Sequence, residues 1–182
     1  MMSQRVSGKA DIEVVSISPE GFVAAPVSRA EAHRAPGILH LAVSVQVVDP
    51  AGRWLLQRRA EAKPAFPGCW ANTCCTHPFV GEEPAAAALR RLGEEVGLRG
   101  EVIQAGTFVY RATDPASGLV EYEMDHLFVA VTAIDAVRAD PAEIAETAGL
   151  PYAEALRLVT SKRGVPWGAE VLRRAFRVLN KR

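Results

Sequence analysis

Cys74, Cys75 and His77 stand together inside the stretch from Phe66 to Leu98, FPGCWANTCCTHPFVGEEPAAAALRRLGEEVGL. In an extended segment side chains alternate faces, so Cys75 and His77 share one face and Cys74 takes the other. A thiol has an unperturbed pKa of about 8.5, so a modest environmental shift lets it give or take a proton near neutrality. Further along, Glu121 and Glu123 are two residues apart in EYEMD and share a face if that segment is extended. Two carboxylates so placed repel unless a cation or a proton sits between them. Arg58, Arg59 and Lys63 cluster just ahead of the cysteine stretch, as either a solvated edge or an anion site. Cys69 and Cys74 read as small buried hydrophobes.

The chain around these residues has 182 positions, which suits a single domain spanning 1–182, with the polar residues 1–10 frayed at its start. At 49% hydrophobic and 23% charged it has an ordinary globular composition, large enough for a core without disulfide or metal staples. Basic and acidic side chains balance at 21 each, which argues against a general nucleic-acid binder or an electrostatic membrane binder. Three cysteines, two of them adjacent, and no signal-like or membrane-spanning apolar run point to a reduced, cytoplasmic protein with free thiols.

The elements that must position these groups follow from pattern. Ile12 to Ile17 reads as a strand, closed by the turn signal Pro19-Glu20-Gly21. A polar, alanine-rich segment follows; if it is helical, Arg29 and His33 share a face, and Pro36-Gly37 ends it. Ile38 to Val48 is rich in β-branched residues and predicts a central strand with His40 near its start. The turn Asp49 to Gly52 then returns the chain as Trp54 to Arg58. Glu82 to Val96 is the clearest helix, with Pro84 in its first turn, Gly97 at its end and a buried stripe of Leu89, Leu92 and Val96. On it Arg91 and Glu95 are four apart and share a face.

Glu101 to Arg111 predicts a strand carrying Tyr110, and Leu119 to Ile134 its long return across the loop Asp114 to Gly118. From Asp140 to about Leu158 the text is helix-prone but broken by Gly149 and Pro151, and Pro166-Trp167 leads into a last amphipathic helix ending near Asn180. Antiparallel hairpins mixed with a few helices make the fold class α+β.

Taken in order, the motifs resemble those of the type 1 isopentenyl-diphosphate isomerases of the Nudix-fold superfamily. The resemblance runs from about Arg29 to Trp167. It rests on Ala32-His33, Leu39 to Ala42, Arg58-Arg59, Pro67 to Trp70, Asn72 to Pro78, Arg90 to Gly97, Tyr110 to Ala112 and Glu121 to Asp125. The Nudix box G-x5-E-x7-R-E-U-x-E-E-x-G-U (U aliphatic) is met by Glu82, Arg90, Leu92, Glu94, Glu95, Gly97 and Leu98. Thr76 replaces its first glycine and Arg91 the acid after its arginine. Nudix pyrophosphohydrolases generally use that acid to hold metal, so Arg91 separates the isomerase reading from the alternative, hydrolysis of a nucleoside diphosphate derivative.

The resemblance implies a Nudix-type fold of mixed and antiparallel sheets sandwiched by helices. It also implies conversion of isopentenyl diphosphate to dimethylallyl diphosphate through a tertiary carbocation, in isoprenoid biosynthesis. Cys75 and Glu123 would be the acid/base pair on opposite faces of the substrate, Tyr110 would assist Glu123, and Trp167 would set its ring against the cation. His33, His40, His77, Glu121 and Glu123 would hold Mn2+, Mg2+ or Zn2+, and Glu95 an Mg2+ that arrives with the diphosphate. Arg29, Arg59, Lys63 and Arg91 would neutralise the remaining diphosphate charge, while His126 has no motif role and is read as structural. The partner implied is a small diphosphate, with no nucleic acid or membrane and a monomer or weak homodimer as the assembly.

Overall fold

The structure, a computed structural model, describes residues 12–18 and 20–181. The reading of residues 1–10 as frayed and the Pro19 part of the first turn lie outside the described residues.

The chain runs β1 (Glu13–Ile17), β2 (Val23–Ser28), α1 (Arg29–His33), β3 (His40–Val48), β4 (Arg53–Arg59), β5 (Trp70–Ala71) and β6 (Cys74–Thr76). There follow α2 (Pro84–Val96), β7 (Ile103–Thr113), β8 (Val120–Val131), β9 (Ile144–Pro151), α3 (Tyr152–Thr160) and α4 (Gly168–Leu179). β3 is the axis. All nine of its residues are buried, as expected of a strand covered on both faces. One edge of β3 pairs in parallel with β8 along its full length, from His40 opposite Glu123 to Val48 opposite Val131. The other edge is shared in turn by β1 at His40, by β6 at Val43 to Val45, and by β4 at Val47 and Val48. The β7–β8 hairpin sets Tyr110 opposite Glu123.

Strand alternation sorts the side chains into two cores. Val43, Val45, Val47, Phe128 and Ala130 pack with Cys74 and with Ala87, Ala88, Leu92 and Val96 of α2. Leu127, Val129, Trp54, Leu56 and Trp70 pack on the other side with α3, Trp167 and α4. The same period of two sends His40 and Ser44 of β3, and Glu121, Glu123 and Asp125 of β8, toward this second side. The site therefore extends from the α3/α4 core rather than from the α2 core.

Three expectations change. The segment expected to be helix-prone from Asp140 opens with the strand β9, which pairs with β4 from Arg53–Pro151 to Arg59–Ile144. Helix propensity is a weak prior, and a seven-partner ladder outweighs it. Gly149 fits that ladder because a Cβ there would lie 2.4 Å from Ile134 Cδ1. Second, β2 was not anticipated; it pairs with β1 and ends at Ser28, whose hydroxyl accepts from Glu31 N at 3.2 Å to start α1. Third, Leu89 is 44% exposed. The buried face of α2 is Ala87, Ala88, Leu92, Glu95 and Val96; Leu92 and Val96 are as expected, and Ala88 takes the place of Leu89 because alanines form the face that lies close against the sheet.

Candidate active site

α1, the start of β3, the end of β6 and the start of β8 each deliver side chains to one point. One ligand atom from each of His33, His40, His77, Glu121 and Glu123 lies within 4.8 Å of all the others. His33 Nδ1 is 2.8 Å from the Arg29 carbonyl, and His40 Nδ1 is 2.8 Å from that of Ile38. Each Nδ1–H donates there, so a neutral ring presents a bare lone pair at Nε2.

Those lone pairs meet other acceptors. His33 Nε2 is buried without a hydrogen-bond partner, 2.9 Å from a Glu121 oxygen. His40 Nε2 is 3.1 Å from His77 Nε2, which is 3.0 Å from Glu123 Oε1. Buried acceptors facing one another are unfavourable unless a positive charge lies among them. Burial lowers the pKa of His77 to about 3 against the pull of Glu123, so it is a neutral donor of electrons at pH 7. Burial works to raise the pKa of Glu123, but a proton shared with the facing imidazole nitrogens of His40 and His77 outweighs it and draws the carboxyl well below the usual carboxylate range. Three imidazoles and two carboxylates converging in this way can hold a divalent cation.

Beside this cluster the Tyr110 hydroxyl donates to Glu123 Oε2 at 2.5 Å. Tyr110 stacks on Trp167 with centroids 5.2 Å apart and planes at 28°, and Phe66 meets the same indole edge-on at 5.3 Å. Phe66 holds a left-handed backbone, φ 50°, uncommon for a bulky residue. Arg59 secures it, donating through Nε to the carbonyls of Ala65 and Phe66 and through Nη2 to that of Ala65. Arg59 thus sits beneath the Phe66 loop, with those guanidinium donors committed to backbone.

Cys75 lies opposite Ser44 across the β3–β6 ladder. Asn72 Nδ2 donates to its sulfur at 3.2 Å, and Ser44 Oγ is 3.4 Å from it. Ser44 donates onward to Asp125 Oδ2 at 2.6 Å. Burial, with Asp125 nearby, pushes the Cys75 thiol up to about 12, so it stands as a protonated S–H. Cys74 points into the α2 core, fully buried.

A second charged group gathers around α2. Arg91 donates through Nε to Glu95 Oε1 at 2.5 Å and pairs with Glu143 at 3.0 Å, while Lys63 pairs with the other Glu143 oxygen. Gln57 donates to Glu95 Oε2 at 3.1 Å, so each oxygen of the buried Glu95 accepts one hydrogen bond and keeps one lone pair. Arg29 stands at the start of α1, its carbonyl holding His33. Two surface cavities among the described residues, of about 440 and 490 Å³, are not lined by Cys75, Tyr110, Glu123 or Trp167.

Ser44, Asp125 and Glu143 were not anticipated as parts of the site. Ser44 lies four residues after His40 and Asp125 two after Glu123, so strand alternation could have placed both on the face of the site.

Residues 38–175 match the NUDIX domain family, and the chain belongs to that class. The crystal structure of a Deinococcus radiodurans protein superposes with a TM-score of 0.73 at 16% identity, covering 90% of this chain and 99% of that one, which shows the fold alone. The isopentenyl-diphosphate Delta-isomerase of Nocardia farcinica is 45% identical over 163 residues, 88% of this chain and 91% of its own. That of Streptomyces griseus is 50% identical over 139 residues, 76% of this chain and 70% of its own. Within the Nudix class, the chain belongs to the isopentenyl-diphosphate Delta-isomerase family.

Proposed function

We infer that the chain isomerises isopentenyl diphosphate to dimethylallyl diphosphate. The observation that carries this reading is a protonated thiol, Cys75, on the same face of the sheet as an ionised carboxylate, Glu123, that is hydrogen-bonded to a phenol. The reaction adds a proton at C4 of the substrate, leaves positive charge at the tertiary C3, and removes a proton from C2 to form the new double bond. It needs one group that gives a proton and one that takes it, held on either side of a flat five-carbon tail.

Cys75 and Glu123 would be those two groups. Asn72 and Ser44 fix the thiol from two sides, so its sulfur is oriented before substrate arrives. Tyr110 orients Glu123 by donating to it. The Trp167 indole, stacked by Tyr110 and met edge-on by Phe66, would offer its remaining π face to the transient cation. Such a contact contributes on the order of 1–2 kcal/mol when desolvated.

His33, His40, His77, Glu121 and Glu123 would hold a divalent ion, Mn2+, Mg2+ or Zn2+, and Glu95 an Mg2+ that enters with the diphosphate. Bound there, such ions supply the positive charge that lets the paired carboxylates coexist and screens the diphosphate. Lys63, Arg91, Arg29 and Arg59 are the cations proposed to neutralise the rest. The partner is a small diphosphate. Among the described residues no helix is long and apolar enough to cross a membrane.

Turnover of isopentenyl diphosphate in heavy water with Mg2+ tests the reading. Label in the C4 methyl of dimethylallyl diphosphate supports it. Folded protein that leaves both compounds unlabelled rejects it, and release of phosphate from a panel of nucleoside diphosphate derivatives would favour hydrolysis instead. A second expected result concerns Trp167: Trp167→Ala should lose about 5–30-fold in kcat, the equivalent of about 1–2 kcal/mol, and Trp167→Phe, which keeps a smaller ring, clearly less. Equal rates for the two variants would show that the ring does not face the cation.

A further inference from the structure

We propose that Glu143 is a built-in stand-in for the diphosphate: it holds Lys63 and Arg91 together while no substrate is bound, and it competes with the diphosphate for them. This rests on the reading of Lys63 and Arg91 as diphosphate-binding cations.

The geometry is that of an anion site already filled. One Glu143 oxygen lies 3.0 Å from Arg91 Nη2, and the other pairs with Lys63 Nζ. A carboxylate that gives one oxygen to each of two cations makes the same two contacts that two phosphate oxygens would make. All three side chains are mostly buried, at 14% exposure for Lys63, 18% for Arg91 and 20% for Glu143, so little water screens them. Burial alone would raise the pKa of Glu143, yet Lys63 and Arg91 bring it down to about 2.

The local charges are already balanced. Lys63 and Arg91 face Glu143 and Glu95, and Arg91 also reaches Glu94, which it shares with Arg90, so three positive side chains meet three negative ones. A diphosphate carrying several negative charges must therefore either displace the Glu143 carboxylate or bind against its repulsion.

The backbone of Glu143 is held independently of this ion pair. Its carbonyl accepts from Ala60 N at 2.9 Å, and its N–H donates to the Asp140 carbonyl at 3.0 Å. Asp140 N in turn donates to the Glu95 carbonyl at 2.8 Å, tying the turn to α2. The side chain can swing away from the cations without unfastening the segment that carries it.

Inorganic pyrophosphate, titrated calorimetrically into the full chain in Mg2+ buffer, tests this. Glu143→Gln keeps the shape and removes the charge; it should bind pyrophosphate at least tenfold more tightly than the unaltered protein and lower KM for isopentenyl diphosphate in parallel. Lys63→Met should bind pyrophosphate more weakly. If Lys63→Met weakens binding and Glu143→Gln, still folded by its thermal melt, does not tighten it, the clamp stands and the stand-in role falls. If Lys63→Met binds as the unaltered protein does, the reading of the cations fails and the proposal fails with it.

Discussion

Cys75→Ala is expected to lower kcat by about a thousandfold or more while leaving the melting curve nearly in place. A positioned proton carrier contributes about 10²–10⁴ in rate, and the neighbouring acid Asp125, whose pKa burial raises to about 8, connects to the sulfur through Ser44. Asn72 and Ser44 touch the sulfur, but an amide is not an acid near neutrality and the Ser44 hydroxyl is already turned toward Asp125. The packing loss is small, because the residue is only partly buried and loses a single heavy atom. Turnover and thermal denaturation measured on the same preparation check this. A variant within tenfold of the unaltered rate would remove the thiol from the reaction.

Glu123→Gln should cost as much activity and more besides. The neutral amide is nearly the same shape, so the parallel pairing with His40 should survive. What disappears is the charge that Tyr110 and His77 both address. The variant should lose turnover and should also bind divalent metal at the histidine cluster at least about 10–100-fold less tightly, since altering a group that merely supports a ligand already costs that much. Metal content by elemental analysis, alongside the isomerase assay, separates the two effects. Full activity at normal metal content would exclude Glu123 as a proton carrier.

How far the site could be read before the structure depended on the period of each element. Cys74 and Cys75 were separable because a strand inverts direction at every residue, and one does enter the α2 core while the other meets Ser44. Glu121 and Glu123 were legible for the same reason. β9 was not, because its sequence IAETAGLP has no alternation of its own, and its existence depends on the partner β4. That misreading also hid Glu143, which a helix would have placed elsewhere. Leu89 was misplaced because a helix rich in alanine has several faces able to pack, and hydrophobicity alone favours the largest side chain over the closest one. Arg59 also holds the Phe66 loop through its Nε and Nη2 groups, a use that nothing in its charge foretells.

The parallel pairing of β3 with β8 has a consequence for how the chain comes into being. His40 meets Glu123, so the partner strand is separated from β3 by 123 − 40 = 83 residues. On a ribosome adding roughly 5–20 residues per second, β3 waits on the order of 4–17 s for that partner to be synthesised. During the interval a valine-rich strand has an open edge, a state prone to self-association. Slower translation or a higher growth temperature should therefore reduce soluble yield before it affects any property of the finished enzyme.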